Sequence, residues 1–272
     1  MGLFDAFKKK DCEICGKEVG MFGYKKLEDG EICKDCIRLL SPWFDDRRHS
    51  TVDQIRQQLN YREENRIALN TFHPTLAFGE CYTLRSELVN GVPTRFVVER
   101  TDSYKEENAD LISFRDVISF QIDVQESDRE LMRTNSQGEE VSYIPPRYEY
   151  SYDFYAEIRV NHSYFDEITF QLNRDSIDLE TVERRPGVNT AFDPMRYPKY
   201  RQFRSKCEEL ENLFRAGMQG MVLEGFAPAE QPSVHAASVP QPAQEPSGPK
   251  FCPNCGSPAD GGKFCQNCGS PL

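Results

Sequence analysis

Eight of the ten cysteines stand in four Cys-x-x-Cys pairs, two toward each end of the chain. Cys12, Cys15, Cys33 and Cys36 form one set, and Cys252, Cys255, Cys265 and Cys268 the other. Two residues between cysteines let the backbone turn a knuckle that aims both sulfurs at one ion. A second knuckle completes a tetrahedron, with Zn–S distances of about 2.3 Å. Each set thus has the ligand count and spacing of a four-thiolate zinc site. With every position taken by protein sulfur, no place is left for a reacting water, so both sites are expected to be structural. Competing uses fit less well. Disulfides need an oxidising compartment, and the start MGLFDAFKKK lacks the order and cleavage site of a secretory signal. A redox Cys-x-x-Cys stands singly between strand and helix, not as two coupled pairs.

The C-terminal set repeats itself. FCPNCGSP (251–258) returns as FCQNCGSP (264–271). Gly256 and Gly269 follow the second cysteine of each knuckle, where glycine readily takes positive φ. The residues between, 259–262, are turn-forming. So short a ribbon cannot bury enough apolar surface to fold unaided. Metal must supply its folding energy, roughly 10–16 kcal/mol for structural zinc in small peptides. In the N-terminal set a knuckle at Cys12–Cys15 precedes a hairpin turn at Asp29-Gly30 that delivers Cys33, and KDCIRLL then reads as a short helix. Knuckle, hairpin and helix make a treble-clef-like order.

Around these modules the elements alternate in character. Residues 51–72 read as helix, with Thr51 and Gln54 as a capping box, Val52, Ile55 and Leu59 at helical spacing, and the charges as a solvated face. Residues 76–182 read as antiparallel sheet. Phe96-Val97-Val98 is a strand core, and Ile118, Phe120, Ile122 and Val124 alternate with polar residues. From Tyr148 to Val160 every even position is apolar or aromatic and the odd positions are polar apart from Tyr155, so one face is buried and the other wet. Ile168, Phe170 and Leu172 repeat the pattern, and residues 135–138 read as a hairpin loop. The tyrosines of this stripe are expected to pack in the core rather than stack on bases. A closing helix begins near Pro198 and carries Phe203, Cys207, Leu210, Phe214 and Gly217 on one stripe. Cys207 and Cys81 read as small buried apolar residues. From 223 to 250, scattered prolines among Ala, Ser, Gln and Glu read as a disordered linker.

The expected class is α+β: an antiparallel β middle domain, pleckstrin-homology-like by analogy, closed by a C-terminal helix and flanked by two small zinc modules. The expected divisions are 1–49, zinc module; 50–75, helical connector; 76–222, β domain and helix; 223–250, linker; 251–272, ribbon. The formal net charge is −11, and each filled four-thiolate zinc site lowers it by about two more. Such a surface repels nucleic acid overall. Residues 1–49 carry ten Lys/Arg against ten Asp/Glu, with no evident basic face. No apolar run reaches membrane-span length. At most, the stub 1–10 makes weak peripheral contact with a membrane.

CEICGKEVG, KLEDGEICKDC, LSPWFDDRRHSTVDQIRQQL, YREEN and VSYIPPRYEYSYDFY together resemble an uncharacterised bacterial family with an N-terminal four-cysteine domain of unknown function. The resemblance covers roughly residues 1–218. Cys12, Cys15, Cys33 and Cys36 match its cysteine motif. It implies a β-rich middle domain, in some members a terminal zinc ribbon, zinc binding and a cytoplasmic setting. It implies no activity.

Catalysis finds little support. His49, His73, His162 and His235 form no metal-protease motif, and no nucleophile elbow or phosphate-binding loop is present. His49 reads as a cap-region or surface residue. The expectation is a non-enzymatic, zinc-binding cytoplasmic adaptor or regulator acting on unidentified protein partners. The alternative is a nucleic-acid-associated regulator using the ribbon, whose cations are limited to Lys250 and Lys263.

Overall fold

Thr51 and Gln54 close a reciprocal capping box at the head of helix α2 (Val52–Ala68), as their spacing predicts. In this computed structural model residues 10–20, 23–100, 103–180, 192–226, 251–258 and 263–272 are described. The N-terminal stub (1–9), most of the expected linker (227–250) and the ribbon turn (259–262) lie outside them. The chain divides into two units, Met1–Ala227 and Pro228–Leu272. The class is mixed α+β with antiparallel sheets.

In the first unit, β1 (Lys10–Asp11) pairs with β2 (Glu18–Val19), and β3 (Tyr24–Lys26) with β4 (Glu31–Cys33). A short helix, α1 (Lys34–Ile37), follows at once. Leu27, Ile32 and Leu40 form a small core with three of the cysteines, and Ile55 of α2 closes it. Asp29 does more than turn the chain, because its Oδ1 accepts from the Val52 N–H at 2.7 Å and so caps α2 as well.

The remainder of α2 departs from expectation. After Ile55 its buried positions are Gln58, Arg62 and Asn65, a helical stripe made of polar residues. Arg62 meets the fully buried Asp110 at 2.6 Å. Asp110 also accepts from the Ser41 hydroxyl (2.8 Å) and the Tyr61 hydroxyl (2.9 Å). Arg62 donates further to the carbonyls of Leu39 and Asn108. Asn65 bonds Asn108, the Ala109 carbonyl and the Leu111 N–H. These bonds fasten the segment after α1, and α2 with it, to residues 108–111, in the loop between two strands of the β body, Val92–Glu99 and Ile112–Ser113. Arg62 and Asn65 belong to that junction and not to a solvated face.

The β body has two sheets. β5 (Leu76–Phe78), β6 (Thr83–Val89), β7 (Val92–Glu99) and β8 (Ile112–Ser113) form an antiparallel meander. β9 (Val117–Thr134) and β10 (Glu140–Val160) form a long hairpin, and β11 (Glu167–Gln171) and β12 (Ile177–Glu180) pair along the other edge of β10. Tyr150, Tyr152, Phe154, Ala156, Ile158 and Val160 all point into the core. The alternation slips once. Val160 pairs with Val117 but Arg159 with Ser119, so Ile118 is the extra residue of a bulge and is 63% exposed. Strict alternation alone places it on the inward face with Phe120.

Helix α3 (Pro198–Gln219) lays its predicted stripe on this body: Phe203, Cys207, Leu210, Phe214 and Gly217 are all buried. Phe214 stacks on Phe120 at 3.9 Å between centroids and meets Phe96 and Phe114 edge-on. Gly217 is required there, because a Cβ would stand 2.4 Å from Cγ of Phe114. Cys207 fills the core as expected, whereas Cys81 is only half-buried, in the turn between β5 and β6.

Candidate metal centres

The first tetrad is assembled by three local devices. The knuckle after β1 carries Cys12 and Cys15, β4 ends on Cys33, and α1 supplies Cys36. Cys33 is also the N-cap of α1, its sulfur accepting from the Cys36 N–H at 3.4 Å. The Cys33 N–H in turn donates to the Cys12 sulfur at 3.2 Å. Cys12, Cys33 and Cys36 are buried and Cys15 is exposed.

The four sulfurs lie within 4.8 Å of one another. Cys12 to Cys36 is 3.9 Å and Cys15 to Cys33 is 3.8 Å. A tetrahedron with metal–sulfur arms of about 2.3 Å has edges of about 3.8 Å, so the spacing fits one ion at the centre. Backbone N–H groups aimed at sulfur are what an anionic thiolate set needs around it.

The second tetrad has an approximate internal twofold. Cys252 to Cys268 and Cys255 to Cys265 are each 3.6 Å. The Gly256 N–H donates to the Cys252 carbonyl and the Gly269 N–H to that of Cys265, both at 2.8 Å. Both glycines have φ of 72°, as the knuckle requires. The repeated Asn and Ser also have parts to play. Asn254 Nδ2 reaches across to the Ser270 hydroxyl (3.0 Å) and the Cys268 sulfur (3.9 Å). Asn267 Nδ2 does the same to Ser257 (3.0 Å) and Cys255 (3.8 Å). Each knuckle therefore braces the exposed sulfur of the other. The repeat alone does not assign Asn and Ser this bracing; their recurrence at matched positions is the signal for it in the sequence.

The ionisation pattern is one that a central cation would relieve. Burial opposes ionisation of Cys12, yet the backbone N–H groups of Cys15, Cys33 and Ile14 outweigh it and draw the thiol down to about 7. Burial and the neighbouring sulfurs push Cys36 far up. In the ribbon, the Ser257 hydroxyl and N–H bring Cys255 down to about 6, and Ser270 lowers Cys268. The N–H groups of Cys268 and Asn267 favour the Cys265 thiolate, but burial and the Cys255 and Cys268 sulfurs carry it up to about 11. Sulfurs this close cannot all ionise against one another. A divalent cation at the centre removes that conflict.

Among the described residues these tetrads are the groups of three or more His, Cys, Asp or Glu with converging ligand atoms. The histidines stand elsewhere. His49 is exposed beside Asp46 at 2.6 Å, and His73 is exposed at the approach to β5. His162 stacks on Phe165, and its burial lowers its pKa. His235 falls outside the described residues. Burial pushes the Cys207 thiol up to about 11, which leaves it protonated and inert. Tyr152 packs edge-on against Tyr200 in the core. No helix among the described residues is long and apolar enough to cross a membrane.

Residues 10–58 match the family described as Domain of unknown function (DUF4428). The match spans the first tetrad and the opening turns of α2. No curated protein and no solved structure matches the chain.

Proposed function

We propose that the protein is a zinc-binding adaptor or regulator that acts through protein–protein contacts and carries out no catalysis. One observation carries this reading. Each tetrad brings four sulfurs together, enough to take every position of a tetrahedral ion, so a metal held there fixes loops in place and has no open position for a substrate. Zinc is the ion of choice for such a set because it is redox-inert and imposes no competing geometry. The order of knuckle, hairpin and helix supports a treble-clef-like first module. Two antiparallel sheets closed by α3 support a pleckstrin-homology-like reading of the body, and one fold of this kind can host many functions. The family resemblance supports a bacterial, cytoplasmic setting.

The test is affinity capture from nuclease-treated native lysate, comparing the full chain with one ending at Met221. A protein partner that survives nuclease supports the adaptor reading, and its loss on truncation places recognition beyond α3. Capture that disappears with nuclease overturns the reading in favour of nucleic-acid association.

A further inference from the structure

Folding gathers cations that lie apart in the sequence. Lys25 and Lys26 come from β3; Arg47, Arg48 and His49 come from the 3-10 turn before α2. With Tyr24 they line an open groove of about 510 Å³, and among the described residues no carboxylate lines it. Lys25, Lys26 and Arg48 are exposed and Arg47 is half-buried. Among the described residues none of these four pairs with an acid, while Lys10 engages Glu31, Lys17 engages Asp35 and His49 engages Asp46. Arg47 is held in place by donating to the Lys26 carbonyl. Burial, and after it the charge of Arg48, lowers the Arg47 pKa, as expected where positive charges crowd without compensation. The equal count of acids and bases in residues 1–49 hides this segregation.

Four uncompensated cations in one groove of a chain with net charge −11 repel one another unless an anion joins them. We infer that the groove binds a short acidic peptide segment of a partner protein. Its carboxylates pair with Lys25, Lys26 and Arg48, and Tyr24, whose ring Lys10 Nζ overlies at 4.9 Å, borders them. The groove's neighbours in sequence favour a short ligand: Glu28, Asp29, Asp45 and Asp46 are all exposed and would repel a polyanion running past the groove. A nucleic-acid duplex carries a charge about every 1.7 Å, whereas an acidic peptide can confine its charge to the groove. This inference rests on the adaptor reading and names the partner's chemistry.

Fluorescence anisotropy on the zinc-loaded full chain tests it, with a fluorescein-labelled (Glu-Gly)5 peptide as probe. A (Gln-Gly)5 peptide and a ten-nucleotide oligo-dT are the comparisons. The expected result is saturable binding of the acidic peptide that weakens as salt rises, with no binding of the Gln peptide. Lys25→Glu, Lys26→Glu and Arg48→Glu combined should weaken it by about tenfold or more. Lys25→Gln with Arg48→Gln should weaken it in the same direction if the triple variant fails to fold. Absence of saturable peptide binding, or unchanged affinity in folded variants, overturns the inference, as does tighter binding of oligo-dT than of the peptide. A protein partner still captured by the folded triple variant would remove the groove's role and leave the adaptor reading standing.

Discussion

Replacing Asp110 by alanine should unfasten the N-terminal module from the β body. The Asp110 side chain is fully buried and that of Arg62 is 6% exposed. Removing one member of such a pair costs about 3–5 kcal/mol, because the remaining charge stays buried without its counter-ion. The lower end applies here, since Arg62 keeps the carbonyls of Leu39 and Asn108 as acceptors. The Ser41 and Tyr61 hydroxyls lose their acceptor in the same step. A loss of about 3 kcal/mol corresponds to a fall in Tm of about 6–12 °C for a unit of this size. Differential scanning calorimetry with urea titration reads both quantities. The paired variant Arg62→Met with Asp110→Leu should recover part of the loss, because it removes the unpaired buried charge while the Ser41 and Tyr61 hydroxyls and the Leu39 and Asn108 carbonyls still lack these partners. A loss below about 1 kcal/mol for Asp110→Ala, or a paired variant worse than the sum of the singles, would refute the claim that this network fastens the junction.

Other expected outcomes follow from single side chains. Cys255→Ser should abolish metal binding and order in the ribbon while the thermal transition of the Met1–Ala227 unit stays in place, because each tetrad is drawn wholly from one unit; proton NMR and calorimetry read the two separately. Gly217→Ala should cost about 1–3 kcal/mol by overpacking, since the new Cβ meets Phe114; a neutral effect in urea titration would show that the Phe114 ring yields freely. Burial holds the pKa of His162 below its ordinary 6.5. Its neutral ring therefore contributes stability above about pH 6.5, and this is lost as pH falls through the lower folded value. His162→Phe should flatten that part of the acid limb in stability-versus-pH curves.

What the sequence made legible was local or periodic. Cysteine spacing located both tetrads, Thr51 and Gln54 marked the start of α2, and even-numbered apolar residues marked the inward face of β10. The stripe from Phe203 to Gly217 marked the buried face of α3. What stayed hidden depended on partners far along the chain. Arg62 and Asn65 share a helical face, but polar types on a helix read as a wet face until Asp110, Asn108 and the 109–111 backbone are brought against them. Ile118 continues an alternating pattern that a one-residue bulge breaks, and only pairing with β10 reveals the bulge. The basic groove joins β3 to a turn about twenty residues later, and intervening acids cancel it in any count along the chain.

Native mass spectrometry of the full chain, purified without added metal, chelator or reductant, tests the central claim most directly when joined to elemental analysis. The account predicts two zinc ions per chain, one lost in Cys15→Ser and the other in Cys255→Ser. A metal-free chain, a mass short by the hydrogens of disulfides, or zinc content unchanged in either variant would contradict it.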